Sequence, residues 1–402
     1  MDGASGCAGY PFEPFHSERH RPPDNNRFER RGAILIWRSG KVSRLSLVFL
    51  AVVGLIIVAV VESTRSLMPQ PYFEEKLAAA RLSKQMFAAI KSYQGKRIAA
   101  SHSDPYATGL IGDQFTPITT SRGNLEAKLS TVNPNIAAAL VDQLRSSGVK
   151  NGDYVAIGMT GSYPALNITA LAACQVLGVV PVIITSVGSS MWGATDPDFT
   201  WLDMEKQLSE KQVLNFRSTA ASIGGRYDNG ANITEEGREL ILSAIERNGV
   251  RLIYKPSLQS SIDERMKIFR NSLPPGKEYA LYINIGGGVA SIGAEENLTV
   301  FPLGITRVIP DFNFPVRGVM VRFLASGVPV LNLSDIPLLI ENYNFPRYPF
   351  PIPSVPSGDV FFKMRYNLPL TAVLLAFYLV LVFVVIRLEM HRIFFSLRKK
   401  QT

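Results

Sequence analysis

Apolar positions along this chain fall into two regimes. Two unbroken runs, Leu45–Val61 and Leu368–Ile386, contain no charged residue. At about 1.5 Å per residue, helices of this length cross a hydrocarbon core of roughly 30 Å, the first run only just. Between them, helix-spaced and β-branched stretches take turns. Phe73, Leu77, Leu82, Met86, Phe87 and Ile90 fall near one face of a helix over Tyr72–Tyr93. Further helices are predicted over Asn135–Ser147, Ala165–Leu177, Leu202–Leu214, Glu235–Asn248, Ile262–Asn271 and Val319–Ala325. Strands are predicted at Ile98–Ala100, Tyr154–Gly158, Val179–Thr185, Thr219–Ile223, Arg251–Tyr254, Tyr279–Ile285 and Val328–Leu333.

Helices of ten to fifteen residues between short buried strands imply βαβ units. The expected fold is α/β: a Rossmann-like three-layer domain with a mostly parallel sheet, flanked by two transmembrane helices. The organisation follows as a basic disordered tail (1–44), a span (45–61), the α/β domain (66–342), a proline-rich extended tether (343–359), a second span (368–386) and a basic tail (387–402). A cleaved signal peptide is the competing reading of the first run. The forty-odd residues before it, and the lack of an A-x-A site before Glu62, argue against that.

Charge changes the picture by giving an orientation. Residues 1–44 carry eight Lys/Arg, and Arg387, Arg392, Arg398, Lys399 and Lys400 follow the second run. The positive-inside rule then puts both termini in the cytoplasm and the main domain outside it, in a cell membrane. The formal net charge of +9 resides mostly in the tails, since residues 66–365 carry a net of only +2. That distribution fits anionic lipid headgroups and not nucleic acid. Cys7 and Cys174 fall on opposite sides of this topology and cannot pair, so Cys174 is expected to be a small core residue.

Ligands of open parallel sheets bind outside the carboxyl ends of the strands. The residues after each predicted strand are small, hydroxylated or glycine: Ser101–Asp104; Thr160, Gly161 and Ser162; Thr185, Ser186, Gly188, Ser189 and Ser190; Gly224–Arg226; Lys255; and Gly286, Gly287 and Gly288. Such loops leave main-chain N–H groups for an anion, although turn chemistry alone also favours these residues. The run Val155–Ser190 resembles the phosphosugar-binding SIS βαβ unit, whose strand-to-helix loop holds phosphate. An extracytoplasmic domain lacks that substrate, so only the anion-binding logic of the loop is kept. Arg122, Asn124, Arg226 and Lys255 complete the expected ligand-binding set. Catalytic signals are few. His102 is the only histidine of the central domain, which excludes a multi-histidine metal site, and no C-x-x-C, Walker A, G-x-S-x-G or G-x-G-x-x-G sequence calls for a cofactor or a known nucleophile. Ser162 or Ser189 with His102 and Asp104 is the one hydrolase-like combination available, against a purely structural role for a lone loop histidine.

One long polar connection, His102–Ala138, holds Thr116, Thr119, Thr120, Ser121, Arg122, Gly123, Asn124, Glu126 and Lys128; loops of this length tend to be functional. Together with Gly158–Asn167, Gly188–Glu205, Gly237–Leu240 and Tyr282–Gly288, it resembles the poly-γ-glutamate system protein family over about residues 68–340. The resemblance implies a membrane-anchored accessory component of poly-γ-glutamate biosynthesis or export in the bacterial envelope, working beside other synthase subunits. It implies no particular reaction. Three functions are therefore expected in competition: a cleft that binds the anionic polymer or another carboxylate-bearing ligand, an extracytoplasmic serine hydrolase or transferase acting on γ-glutamyl bonds, and purely structural assembly with other synthase subunits through the membrane helices.

Overall fold

The computed structural model describes residues 42–95 and 102–398, with side chains up to Glu389. The expected strand Ile98–Ala100, most of the first basic tail and residues 399–402 of the second lie outside the described residues. In chain order the elements are α1 (Arg44–Ser63), β1 (Ser66–Pro69), α2 (Phe73–Gln94), β2 (Thr119–Ser121), α3 (Leu125–Ser130), α4 (Ile136–Ser147), β3 (Tyr154–Thr160), α5 (Pro164–Leu177), β4 (Val180–Ser186), β5 (Ser189–Ser190), α6 (Trp201–Glu210), β6 (Ala220–Ser222), α7 (Glu235–Arg247), β7 (Arg251–Ile253), α8 (Leu258–Asn271), β8 (Tyr279–Ile285), α9 (Val289–Ile292), β9 (Gly304–Thr306), α10 (Val319–Ala325), β10 (Val330–Leu333), α11 (Ile336–Asn342), β11 (Phe362–Arg365) and α12 (Leu368–Arg398). Helices α1 and α12 form one unit and residues Val61–Leu368 the other.

In the terminal unit both helices are long and apolar enough to cross a membrane. They touch at a small residue: a Cβ on Gly54 would lie 3.3 Å from the Tyr378 hydroxyl, which donates to the Leu50 carbonyl at 3.2 Å. Ser46 donates to Glu389 at 2.7 Å, so α12 runs well beyond the apolar stretch read from the sequence.

The larger unit is built on a seven-stranded sheet of order β7-β6-β4-β3-β8-β10-β9, parallel except for β9, which runs antiparallel to β10. Strand side chains alternate between two cores, as a period of two requires. Val155, Ile157, Met159, Ile183, Leu281 and Ile283 face a core with Met86, Leu140, Leu171 and Trp201 from α2, α4, α5 and α6. Ala156, Val182, Ile184, Tyr282 and Val330 face another with Ile262, Phe269, Met320 and Phe323 from α8 and α10. Burial on both faces explains why the central strands read as unbroken apolar runs.

Local chemistry sets the helix limits. Thr234 and Ser257 cap α7 and α8 by accepting from the main-chain N–H groups of Gly237 and Ser260. The Ser257 cap starts α8 four residues earlier than apolar spacing alone suggested. Helix α6 stops at Glu210, not Leu214, because Gln212 adopts a left-handed conformation, φ 57°. Gly148 and Gly178 end α4 and α5 with φ of 93° and 66°.

Three features had no periodic signal: the short α11, the antiparallel β9, and the β1–β11 pair, which sets the entry and exit of this unit side by side through Ser66↔Arg365. The proline-rich segment Tyr343–Asp359 contains neither helix nor strand, and it is docked on the domain. Phe345 joins the core, Asn135 donates to Ser354 and Ser357 at 3.0 Å each, and Ser130 accepts from the Tyr348 N–H at 2.9 Å.

Gly161 shows why a strand-to-helix turn here needs glycine. A Cβ on it would stand 2.4 Å from the Val187 carbonyl oxygen, whereas one on Gly287 would meet nothing within 4 Å. Gly161→Ala should therefore lower unfolding stability by about 1–3 kcal/mol, with Gly287→Ala changing it by no more than about 0.5 kcal/mol. Denaturant melts of the two variants check this.

Candidate functional site

Parallel pairing brings the ends of the central strands into one row. Thr160 lies opposite Ser186, Ser186 opposite Ser222, Met159 opposite Ile285, and Ile285 opposite Leu333. A cavity of about 880 Å³ opens beyond this row. Its walls include Thr160, Ser162 and Tyr163 after β3, Ser186, Gly188 and Ser190 around the end of β4, Gly225 and Arg226 after β6, Gly287 and Gly288 after β8, and Ser334 and Asp335 after β10.

Thr120, Ser121 and Arg122 enter the same wall from the long polar connection. They are held there by a two-stranded parallel ribbon in which β2 pairs with β5 through Thr119↔Ser189 and Ser121↔Ser190. The cavity is lined by polar and apolar residues alike, the latter including Leu298, Phe301 and Leu303, and it is divided in charge. Arg122 and Arg226 stand on the side of β2 and β6, and Glu295 and Asp335 on the side of β8 and β10. Neither arginine has an ion-pair partner among the described residues.

Beneath the Ser162–Ser190 wall lies Lys128, on α3, only 1% exposed. Its amine donates to the Ser162 carbonyl and, at 2.7 Å, to the Ser190 hydroxyl, and it stands 4.1 Å from the centre of the Tyr163 ring. No carboxylate among the described residues pairs with it, and burial pushes its pKa down from the ordinary lysine value to about 7. Sequence reading had placed Lys128 in the polar cluster without giving it a role. Its burial on a six-residue helix leaves no periodic trace.

The expected ligand-binding residues divide into three groups. Thr160, Ser162, Ser190, Arg122, Arg226, Gly287 and Gly288 line the cavity. Gly161, Ser189 and Gly286 build its frame from behind. The Gly161 N–H donates to Ser186, Ser189 is fully buried with its hydroxyl on the Gly161 and Ser190 carbonyls, and Gly286 has φ 83° with its N–H on Leu333. Asn124 and Lys255 serve elsewhere. Asn124 caps α3 through the Ala127 N–H at 3.0 Å and so holds the helix that carries Lys128, while Lys255 pairs with Glu264 at 3.5 Å.

The hydrolase combination of Ser162 or Ser189 with His102 and Asp104 is not assembled. Ser162 accepts from the Ser190 N–H, and His102 is exposed with no hydrogen bond to either serine. Asp104 accepts from Thr108 and Gly109 in its own turn and lines a separate hollow of about 280 Å³. His102 sits in a surface loop whose position periodicity does not reveal.

Three further buried ionisable groups stand outside the cavity lining. Arg265 and Asp228 pair at 2.8 Å, nearly inaccessible, and share Ser186 and Ser222 as hydroxyl partners, while Ser261 donates to Asp228 alone. Glu205 is fully buried, and desolvation raises its pKa to about 7 despite bonds from the Ser218 N–H and hydroxyl. Cys174 is buried and free, its thiol pushed up to about 12 by desolvation, as a core cysteine should be.

Lys128 carries a stability signature. Its folded-state pKa lies below its unfolded value, so between about pH 7 and about pH 10.5 the unfolded chain binds more protons. Stability from this group therefore rises with pH across that window, by about 1.4 kcal/mol for each unit of displacement, and is flat below it. The difference between wild type and Lys128→Met in denaturant melts from pH 6 to 10 should show this slope; parallel curves would mean that Lys128 is not buried as an unpaired amine.

Comparison with family models, with curated proteins and with solved structures returns no match to this chain, so its own geometry carries the functional reading.

Proposed function

We propose that this chain is a membrane-anchored accessory protein of bacterial poly-γ-glutamate biosynthesis or export, whose Rossmann-like, three-layer domain binds the polymer or another carboxylate-bearing ligand outside the cytoplasm. The observation that carries the binding half is the pair of unpaired arginines, Arg122 and Arg226, on the wall of a hydroxyl-lined cavity at the carboxyl ends of parallel strands. Guanidinium groups hold carboxylates by two-pronged hydrogen bonds. Lys128, buried behind the same wall without a counter-ion among the described residues, adds positive potential when protonated. Glu295 and Asp335 on the far wall repel carboxylate, so that side suits the amide backbone or a free amine of the ligand.

The anchoring half is supported by the exposed apolar surface of α1 and α12, with Leu45, Phe49, Leu55, Leu375, Phe377 and Phe383 all more than half exposed. Basic flanks give the orientation, with both termini in the cytoplasm. The pathway itself rests on the family resemblance of residues 68–340. Other synthase subunits in the membrane are its natural partners.

Arg122→Ala and Arg226→Ala in the full-length protein in detergent should each weaken retention of poly-γ-glutamate by about 1 kcal/mol, roughly fivefold, since both side chains are exposed. Lys255→Ala should leave retention unchanged, and added salt should weaken it throughout. Equilibrium binding of labelled polymer measures all three. Equal retention by wild type and the double arginine variant would remove the cleft from the binding account.

A further inference from the structure

The contacts of Lys128 allow more than binding. We propose that Ser190 and Lys128 form a nucleophile–base dyad that cleaves or transfers a γ-amide bond in the cleft. Three geometric facts carry this. The Lys128 amine lies 2.7 Å from the Ser190 hydroxyl, a distance at which a proton passes directly. Ser190 lines the cavity, between Gly188 and the Ser162 wall, and keeps 8% of its surface exposed where Ser189 keeps none. Lys128 is buried at 1% exposure with no carboxylate among the described residues to hold it as ammonium. Buried lysines of this kind serve as general bases, and serine–lysine pairs replace serine–histidine–aspartate on unrelated folds. The depression of the Lys128 pKa to about 7 agrees with the base role.

The site also fixes the two partners. Ser190 is pinned by β5, where it pairs with Ser121 of β2, and by its N–H bond to the Ser162 hydroxyl at 3.0 Å. Lys128 is pinned by its bond to the Ser162 carbonyl and by the Tyr163 ring. Ser162 is thus a positioning residue that touches both members. Gly193 allows this closeness: a Cβ there would stand 2.2 Å from the Ser189 hydroxyl and 2.6 Å from the Ser162 carbonyl.

The step balances without a cofactor. Lys128 as free amine takes the Ser190 hydroxyl proton while Oγ bonds to the amide carbonyl carbon. The carbon–nitrogen bond then breaks, and the Lys128 ammonium gives its proton to the leaving amine. Water then bonds to the ester carbon as Lys128 takes its proton, the carbon–Oγ bond breaks, and Lys128 returns that proton to Oγ, leaving a free carboxyl, the original serine and a free amine on Lys128. An amine in place of water gives transfer. The choice of a γ-amide rests on the carboxylate-ligand reading above; the dyad itself does not.

The test treats full-length protein in detergent with an alkyl fluorophosphonate and locates the adduct by peptide mass spectrometry. The expected result is a single adduct on Ser190, with labelling rates about 10²-fold lower or less in Lys128→Met and Lys128→Arg and none in Ser190→Ala. His102→Ala should label like wild type. Poly-γ-glutamate incubated with wild type should shorten and release amine, and Ser190→Ala should do neither while still retaining polymer. Melting curves establish that each variant is folded, and Ser190→Ala, which removes one oxygen, guards against collapse at Lys128. No adduct on folded wild type, an adduct on Ser162 instead, or wild-type labelling in a folded Lys128→Met would overturn the dyad. Retention of polymer without labelling would overturn the dyad alone, and labelling without retention would overturn the polymer reading alone.

Discussion

Parallel strand pairing is the constraint from which the rest of this molecule follows. Because β3, β4, β6, β8 and β10 all run the same way, each strand must deliver the residues that follow it to the same edge of the sheet. Those residues are Gly161 and Ser162, Val187 and Gly188, Ile223 and Gly224, Gly286 and Gly287, and Ser334 and Asp335. Chain segments far apart in sequence thereby meet around one opening, with no loop obliged to reach far. The small residues among them let the turns approach each other. The 2.4 Å separation that a Gly161 Cβ would have from Val187 measures how little room is left. The ribbon of β2 with β5 then recruits the long polar connection and places Arg122 beside Ser190.

Much of this was legible in the chain, and the limits of legibility are physical. The central strands and the helices between them announce themselves because both faces of the sheet are buried, and such burial demands apolar runs of definite period. Rows such as Tyr279–Ile285 and Val319–Ala325 were read to the residue. The edge elements β9 and β11 were not, since three or four residues carry no period. The cleft was legible as a set of strand-end loops, and seven of the expected side chains or glycines line it. Ser189 was misjudged for a plain reason: neighbouring residues of an extended segment point to opposite sides, so Ser190 faces the cavity and Ser189 faces the core. Sequence spacing alone gives no means of deciding which of the two adjacent serines is which. His102 was singled out by residue type, and Lys128 was passed over because lysine ordinarily belongs on the surface.

Two buried cations, Arg265 and Lys128, lie near the same sheet edge and are treated in opposite ways. Arg265 meets a carboxylate, Asp228, and the hydroxyls of Ser186 and Ser222, so its charge and its Nε and Nη2 donors are answered. Breaking such a pair leaves an isolated buried charge at a cost of about 3–5 kcal/mol, and arginine keeps its charge at any ordinary pH. This pair fastens α8 and the turn after β6 to the end of β4. Lys128 is given a carbonyl, a hydroxyl and an aromatic face, with no carboxylate among the described residues. A protein that needed only a fastener there would gain more from a neutral side chain of the same length, because burying an unpaired ammonium opposes folding. Lysine at that position is sensible where the group must release and recover a proton, or must stay unpaired until a ligand brings the missing negative charge. Either demand would be served at the one wall where Ser162 and Ser190 separate Lys128 from the open cavity.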